Sequence, residues 1–255
     1  MITSFLKKPL TPKSLCIEPK ICVSHKAMSF ADFSAIYGEH HEETKVSQSI
    51  DEFAIIEYMK PHIDSMHQLD FQHIQNELEY RTVCLLDPPT QALLILDLDE
   101  TLIFNGLRDE VNPIDNITIR PFTEEFLEKV LPFFEIWIWT ASDSTYADYV
   151  LAVLDPHNKY ITKVITKESC TKSGDFWVKD IRIFQNLNLK KVIILDNLLI
   201  SFAPTLHNGI LIAPYTNNPK DCELKMLGEF LVEIYDSEDY RKVLKATFDY
   251  GKYVY

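Results

Sequence analysis

Positive charge is in short supply: 25 lysines and arginines stand against 38 aspartates and glutamates, a formal net charge of −13. Such a field repels nucleic acid over most of the surface. No aromatics interleave with bases as a stacking platform would need, so no direct nucleic-acid partner is expected. Long apolar runs are also missing. None reaches the roughly 18 residues of a bilayer span, and no membrane span is expected. The opening MITSFLKKPLTPKS is too polar and interrupted for a secretory signal peptide. Cysteine is sparse: Cys16, Cys22, Cys84, Cys170 and Cys222 are odd in number and widely spaced, unlike a disulfide framework. The six-residue step from Cys16 to Cys22 does not suit a close zinc-binding pair, even with His25 nearby. No internal repeat is visible. What remains is ordinary for a globular chain: 255 residues, 46% hydrophobic and 25% charged, enough to bury a sizeable core.

The chain divides near residue 85. Residues 1–84 read as an N-terminal extension, irregular and then helical, packed on a catalytic domain over 85–255. Pro12, Pro19 and the stretch GEHHEETK mark turns and solvated chain over 1–49, where His40 and His41 read as part of a polar loop. From Phe53, Ile56 and Met59 a helical rhythm begins, Pro61 interrupts it, and Ile63, Met66, Leu69, Ile74 and Leu78 resume it. Two helices, or one broken helix, are expected, with docking of a protein partner as the rival use of their apolar faces. After the boundary DPPT at 87–90, short apolar runs alternate with helical stretches. Strands are expected at ALLIL, EIWIW, KYITKVIT, KVIIL and GILIA. Helices are expected at PFTEEFLEKVL, with Pro121 in its first turn, and at STYADYVLAVL, VKDIRIFQNL and DCELKMLGEFLVEIY. That order specifies an α/β fold with a mostly parallel central sheet flanked by helices.

Ligands of open parallel sheets lie at the C-terminal ends of the strands. ALLIL runs into Asp97-Leu98-Asp99, IWIW into Thr140 and VIIL into Asp196-Asn197, while Lys179 opens the helix expected before that last strand. Taken singly, each has a plain role as turn residue, helix cap or surface charge. Taken together, they suit phosphoryl transfer. Two carboxylates and an amide oxygen form a hard, oxygen-rich site for Mg²⁺. Asp97 can act as nucleophile and Asp99 as proton donor and then base. Thr140 can hydrogen-bond a phosphoryl oxygen, and Lys179 can offset its charge.

The same residues resemble the motifs of the haloacid-dehalogenase superfamily, and more narrowly the NLI-interacting-factor-like phosphatases, which include small phosphatases of the carboxy-terminal domain of RNA polymerase II. The matching segments are DLDETL (97–102), IRPFTEEFL (119–127), WTASDSTYADYVLAVLD (139–155), WVKD (177–180) and KKVIILDN (190–197). The resemblance covers roughly residues 85–240 and implies a Rossmann-like core. It makes Asp97 the phosphoryl-accepting nucleophile and Asp99 the general acid and then base. The Asp97 side chain, the Asp99 carbonyl and Asn197 would be the Mg²⁺ ligands. Thr140 and Lys179 would bind the phosphoryl group or stabilise the nucleophile, with Asp196 orienting Lys179 and Asn197. Glu100, Thr101, Trp139, Asp143 and Tyr146 read more simply as structural, capping or packing residues.

Two departures concern the substrate. Only NGLRDEVNPIDN lies between Phe104 and Ile117, a short cap insertion where polymerase-tail phosphatases carry a larger one. Leu198-Leu199 stands where the family has Ser-Pro. The resemblance and the short cover favour a phosphorylated protein or peptide, at phosphoserine or phosphothreonine, over an enclosed metabolite. A small-molecule phosphomonoesterase and a non-catalytic phosphatase-like binding domain are the alternatives. The cysteine pattern fits nucleus or cytoplasm.

Overall fold

Five strands pair side by side into a wholly parallel sheet, in the order 161–165, 134–139, 92–96, 192–196 and 209–211. The structure is a computed structural model that describes residues 52–106 and 116–251, with side chains from residue 57 onward. Cys16, Cys22, His25, His40, His41, the side chains of Phe53 and Ile56, and positions 107–115 of the cap insertion lie outside the described residues. The strands are β1 (Ala92–Leu96), β4 (Phe134–Trp139), β5 (Ile161–Ile165), β8 (Val192–Asp196) and β9 (Gly209–Leu211). β1 pairs with β4 on one side and β8 on the other, and all five of its residues are buried. An unbroken run of Ala, Leu and Ile is what a strand covered on both faces requires. The winding reverses at β1, so its C-terminal end is the topological switch point where such folds bind ligands.

Two small hairpins stand outside the sheet. β2 (Ile103–Asn105) pairs antiparallel with β3 (Ile117–Ile119) and carries the cap insertion. β6 (Thr171–Ser173) pairs antiparallel with β7 (Phe176–Val178). The helices are α1 (Glu52–Met66), α2 (Phe71–Arg81), α3 (Thr123–Val130), α4 (Ser144–Leu154), α5 (Glu223–Ile234) and α6 (Tyr240–Phe248). Among the described residues no helix is long and apolar enough to cross a membrane.

Four local expectations are corrected. Pro61 does not interrupt α1: it sits exposed within the helix, where the lost N–H bond is outweighed by burial of Met59 and Met66 on the opposite side. The break comes at His67–Asp70, where the Asp70 carboxylate accepts from the His73 N–H at 2.9 Å and caps α2. Pro121 is not in the first turn of α3. It belongs to a preceding turn in which Phe122 adopts φ 65°, and the helix starts at Thr123. VKDIRIFQNL forms no α-helix. Val178 ends β7, and only Ile181–Ile183 makes a 3₁₀ turn, because Asp180 accepts from both the backbone and the guanidinium of Arg182. Lys179 is therefore delivered by a hairpin and not by a helix.

α1 and α2 bury Met59, Met66 and Ile74 in the same core as the sheet. α1 packs against the 3₁₀ segment Leu199–Asn208, and α2 against β6.

Candidate active site

The loop after β1 is a tight turn with its donors focused on one oxygen. The N–H groups of Thr101, Leu102 and Ile103 all point at the Leu98 carbonyl, at 3.2, 2.9 and 3.1 Å. Glu100 takes the left-handed conformation, φ 59°, a strained choice for a residue with a Cβ. It is held there by bonds from its N–H to the Ile103 carbonyl (2.7 Å) and from the Tyr215 N–H to its own carbonyl (2.7 Å). Arg120, 1% exposed, fastens the far side. It donates to the Thr101 and Ala213 carbonyls and grips Asp221 with two nitrogens at 2.9 and 2.8 Å.

This turn sets Asp97 at the strand end, its N–H still bonded to the Leu195 carbonyl of β8. Lys179 Nζ lies 2.6 Å from Asp97 Oδ1 and 2.6 Å from Asp196 Oδ2. Thr101 donates to the other Asp97 oxygen at 3.0 Å, and the Leu198 N–H to the other Asp196 oxygen at 2.8 Å. All three charged groups are buried. Burial pushes Asp97 up to about 7. Lys179 opposes the shift, while Asp196 and Asp99 add to it. Burial alone would lower Lys179, but Asp196 and Asp97 on either side raise it and keep it charged. One ammonium between two carboxylates leaves one negative charge uncompensated when both are ionised.

Asp99 is held at both oxygens. The Tyr146 hydroxyl donates to Oδ1 at 2.6 Å, and the Ser142 hydroxyl to Oδ2 at 3.2 Å. Thr140 extends the β4 end, its N–H on the Ile165 carbonyl, and its hydroxyl oxygen accepts from the Ser142 N–H at 3.0 Å. Asn197 Nδ2 donates to Glu100 Oε2 at 3.1 Å, which fixes the amide and leaves Oδ1 as its acceptor. The structure thus links Asp97, Lys179 and Asp196 directly, and joins Thr140 to Asp99 through Ser142.

Sequence reasoning missed Ser142 and gave Tyr146 no contact with Asp99. The visible signal was their position, two and six residues beyond Thr140 at the start of α4. Asp143 is the cap of that helix, accepting from the Tyr146 N–H at 2.9 Å. Trp139 is buried core, edge-on to Phe184.

Among the described residues no three His, Cys, Asp or Glu side chains gather as a metal site. The donor set that fits a hard cation is mixed: the Asp97 carboxylate, the Asp99 carbonyl and the Asn197 amide oxygen. All are oxygens, beside an uncompensated negative charge. A cavity of about 320 Å³ lies at the N-terminal ends of β1 and β8, bordered by Thr90, Gln91, Leu187, Asn188, Lys191 and Tyr235. It contains no candidate site residue.

The family model described as NLI interacting factor-like phosphatase matches residues 92–241, more than half the chain. Over 173 residues the chain is 35% identical to "CTD small phosphatase-like protein 3" of Caenorhabditis elegans, covering 61% of this chain and 58% of that one. Over 168 residues it is 34% identical to "CTD small phosphatase-like protein 2" of Dictyostelium discoideum, covering 61% and 29%. The chain thus spans less than two thirds of either relative. The solved structure of Fcp1, an essential RNA polymerase II CTD phosphatase, aligns over 70% of this chain and 54% of that one. Its identity is 19% and its TM-score 0.41, a distant likeness.

Proposed function

The chain belongs to the NLI interacting factor-like phosphatase family, and we propose that it is a Mg²⁺-dependent phosphatase of phosphoserine and phosphothreonine in proteins, acting through an aspartyl-phosphate at Asp97. The observation that carries this reading is the buried Asp97–Lys179–Asp196 group, with Lys179 Nζ 2.6 Å from each carboxylate. A buried ion cluster of this kind is a weak device for stability but a strong one for holding a nucleophile and countering the charge of a phosphoryl group.

In the first step an Asp97 oxygen attacks phosphorus and the bond to the substrate oxygen breaks. Asp99, as the acid, gives that oxygen its proton. In the second step water attacks the aspartyl-phosphate and Asp99 takes the water's proton. The acyl phosphate bond breaks, releasing phosphate and the Asp97 carboxylate. Thr140 hydrogen-bonds the phosphoryl oxygens, Lys179 compensates their charge, and Asp196 holds Lys179. Mg²⁺, on Asp97, the Asp99 carbonyl and Asn197, would supply further neutralisation of the phosphoryl charge. In this reading residues 85–255 form the catalytic domain and 1–84 an extension of it. The shortness of the connection from Asn105 to Ile117 in the sequence and the relatives' names support a phosphoprotein substrate.

The test is phosphate release from phosphoserine and phosphothreonine peptides, polymerase-tail peptides among them, and from small phosphate esters, with Mg²⁺ or with chelator. Release from phosphopeptides that stops with chelator and in Asp97→Asn is expected. Release that survives both would overturn the mechanism. Preference for small esters would overturn the substrate class, and silence on every substrate would favour a binding domain.

A further inference from the structure

The family model begins at residue 92, yet the chain before it is bonded to both flanks of the stretch that carries Lys179. On the leading flank Arg81, the last residue of α2, points its guanidinium at three acceptors. It donates to the Cys170 carbonyl at 2.6 Å, to Thr171 Oγ1 at 3.3 Å, and to the Glu168 carbonyl. The Asp70 N–H donates to Ser173 Oγ at 3.0 Å, and His73 Nε2 lies 3.1 Å from the Lys172 carbonyl. On the trailing flank Val83 exchanges backbone bonds with residues 183 and 185, at 2.7 and 3.0 Å. Asn186 clasps Leu85 through both its amide groups, at 2.9 Å each. A third hold comes from behind. The Lys179 N–H donates to the Ser201 carbonyl at 2.6 Å, within the 3₁₀ segment Leu199–Asn208 against which α1 packs.

These bonds fall on a segment that needs them. β6 and β7 are three residues each, and an isolated hairpin of that size is marginal in water. Lys179 follows it directly and must keep its ammonium between Asp97 and Asp196.

We propose that α1, α2 and the chain from Arg81 to Leu85 are a brace that fixes the β6–β7 hairpin and so holds Lys179 on Asp97, with Arg81 as the principal positioning residue. The catalytic consequence rests on the phosphatase reading above; the mechanical hold does not. Arg81 touches no reacting atom and acts through the hairpin. Its bonds meet backbone oxygens of 168 and 170, so a lysine in its place can satisfy fewer of them at once.

The experiment uses the full chain and follows two readouts, steady-state phosphate release and backbone hydrogen exchange. Arg81→Ala is expected to lower kcat about tenfold with KM within about twofold, the pattern of a displaced catalytic group with substrate contacts kept. Amides of 171–179 should exchange faster, while those of β1 and β8 keep their rates. Arg81→Lys should recover part of kcat. Arg241→Ala, which removes a guanidinium remote from the hairpin and its pair with Asp239 at the start of α6, should change neither readout. If Arg81→Ala does not fold, Ser173→Ala removes a single bond of the brace and should move both readouts the same way to a smaller extent. Unchanged exchange over 171–179, or a kcat within about twofold of the parent, overturns the brace. If the parent releases no phosphate from any substrate, the functional reading falls, and the exchange result alone decides the brace.

Discussion

The Tyr146 hydroxyl donates to Asp99 Oδ1 at 2.6 Å and itself accepts from Asn105 Nδ2 at 3.3 Å. A residue on the first turns of α4 thus aims the proposed proton donor and connects it to the end of β2. General acid–base groups contribute about 100- to 10,000-fold to rate, and a misdirected one forfeits part of that. Tyr146→Phe keeps the ring and removes the bond. It is expected to lower kcat about tenfold, read by steady-state phosphate release from a phosphoserine peptide, with the melting temperature little changed.

Lys179→Met keeps the length of the side chain and removes its charge. Asp97 and Asp196 are then buried like charges without a partner. Breaking such a group costs about 3–5 kcal/mol, so denaturant unfolding at pH 8 should show a loss of that order. Acidification should narrow the loss, because neighbouring carboxylates without a cation take up protons readily. Phosphate release should fall to background.

Glu223 gives a pH-dependent term of calculable sign. Burial raises it from its ordinary 4.5 to about 7; Arg120 opposes the shift and Asp221 adds to it. Between those values the folded protein retains a proton that the unfolded chain has released. Its contribution is therefore full below pH 4.5 and is lost as pH rises through 7. Glu223→Gln removes this term. The stability difference between variant and parent should grow in the variant's favour by about 2–3 kcal/mol from pH 4.5 to pH 8, measured by urea unfolding at each pH.

Gly209 opens β9 beneath the ring of Phe202, which is fully buried. A Cβ at 209 would lie 2.0 and 2.1 Å from two carbons of that ring. Tyr250 lies beside that ring, tilted at 6.1 Å between centroids. Gly209→Ala should cost about 3 kcal/mol, seen as a lower denaturation midpoint at unchanged slope.

The centre of the sheet was legible because β1, β4 and β8 are largely apolar runs that stop at acids or Thr140. Asp97, Thr140 and Asp196 mark the ends of β1, β4 and β8 without any knowledge of the pairing. The Lys179 hairpin was not legible, since strands of three residues are too short to show alternation. Val178, Ile181, Phe184 and Leu187 also imitate a helical face. The available signal was the turn at Ser173-Gly174-Asp175, where Gly174 takes φ 60°. α6 was missed although Asp239 caps it and Tyr240, Leu244 and Phe248 recur every four residues on its buried side. Ser142 was hidden because a serine in TASDS serves a helix start equally well. Only the approach of α4 to the β1 loop gives its hydroxyl a carboxylate to meet. Bonds between elements remote in sequence, such as Arg81 to Cys170, leave no local trace at all.

The antiparallel pair Ile103–Asn105 and Ile117–Ile119 works as a socket. Its register is closed by main-chain bonds of its own, and Asn105 stands two hydrogen bonds from Asp99 through Tyr146. Whatever chain is spliced between those two strands starts and finishes beside the reacting groups, while the residues that hold them come from other parts of the fold. On the proposed phosphatase reading, preference for one phosphorylated surface over another would change with the length or side chains of that single splice, while the groups beneath it stay as they are.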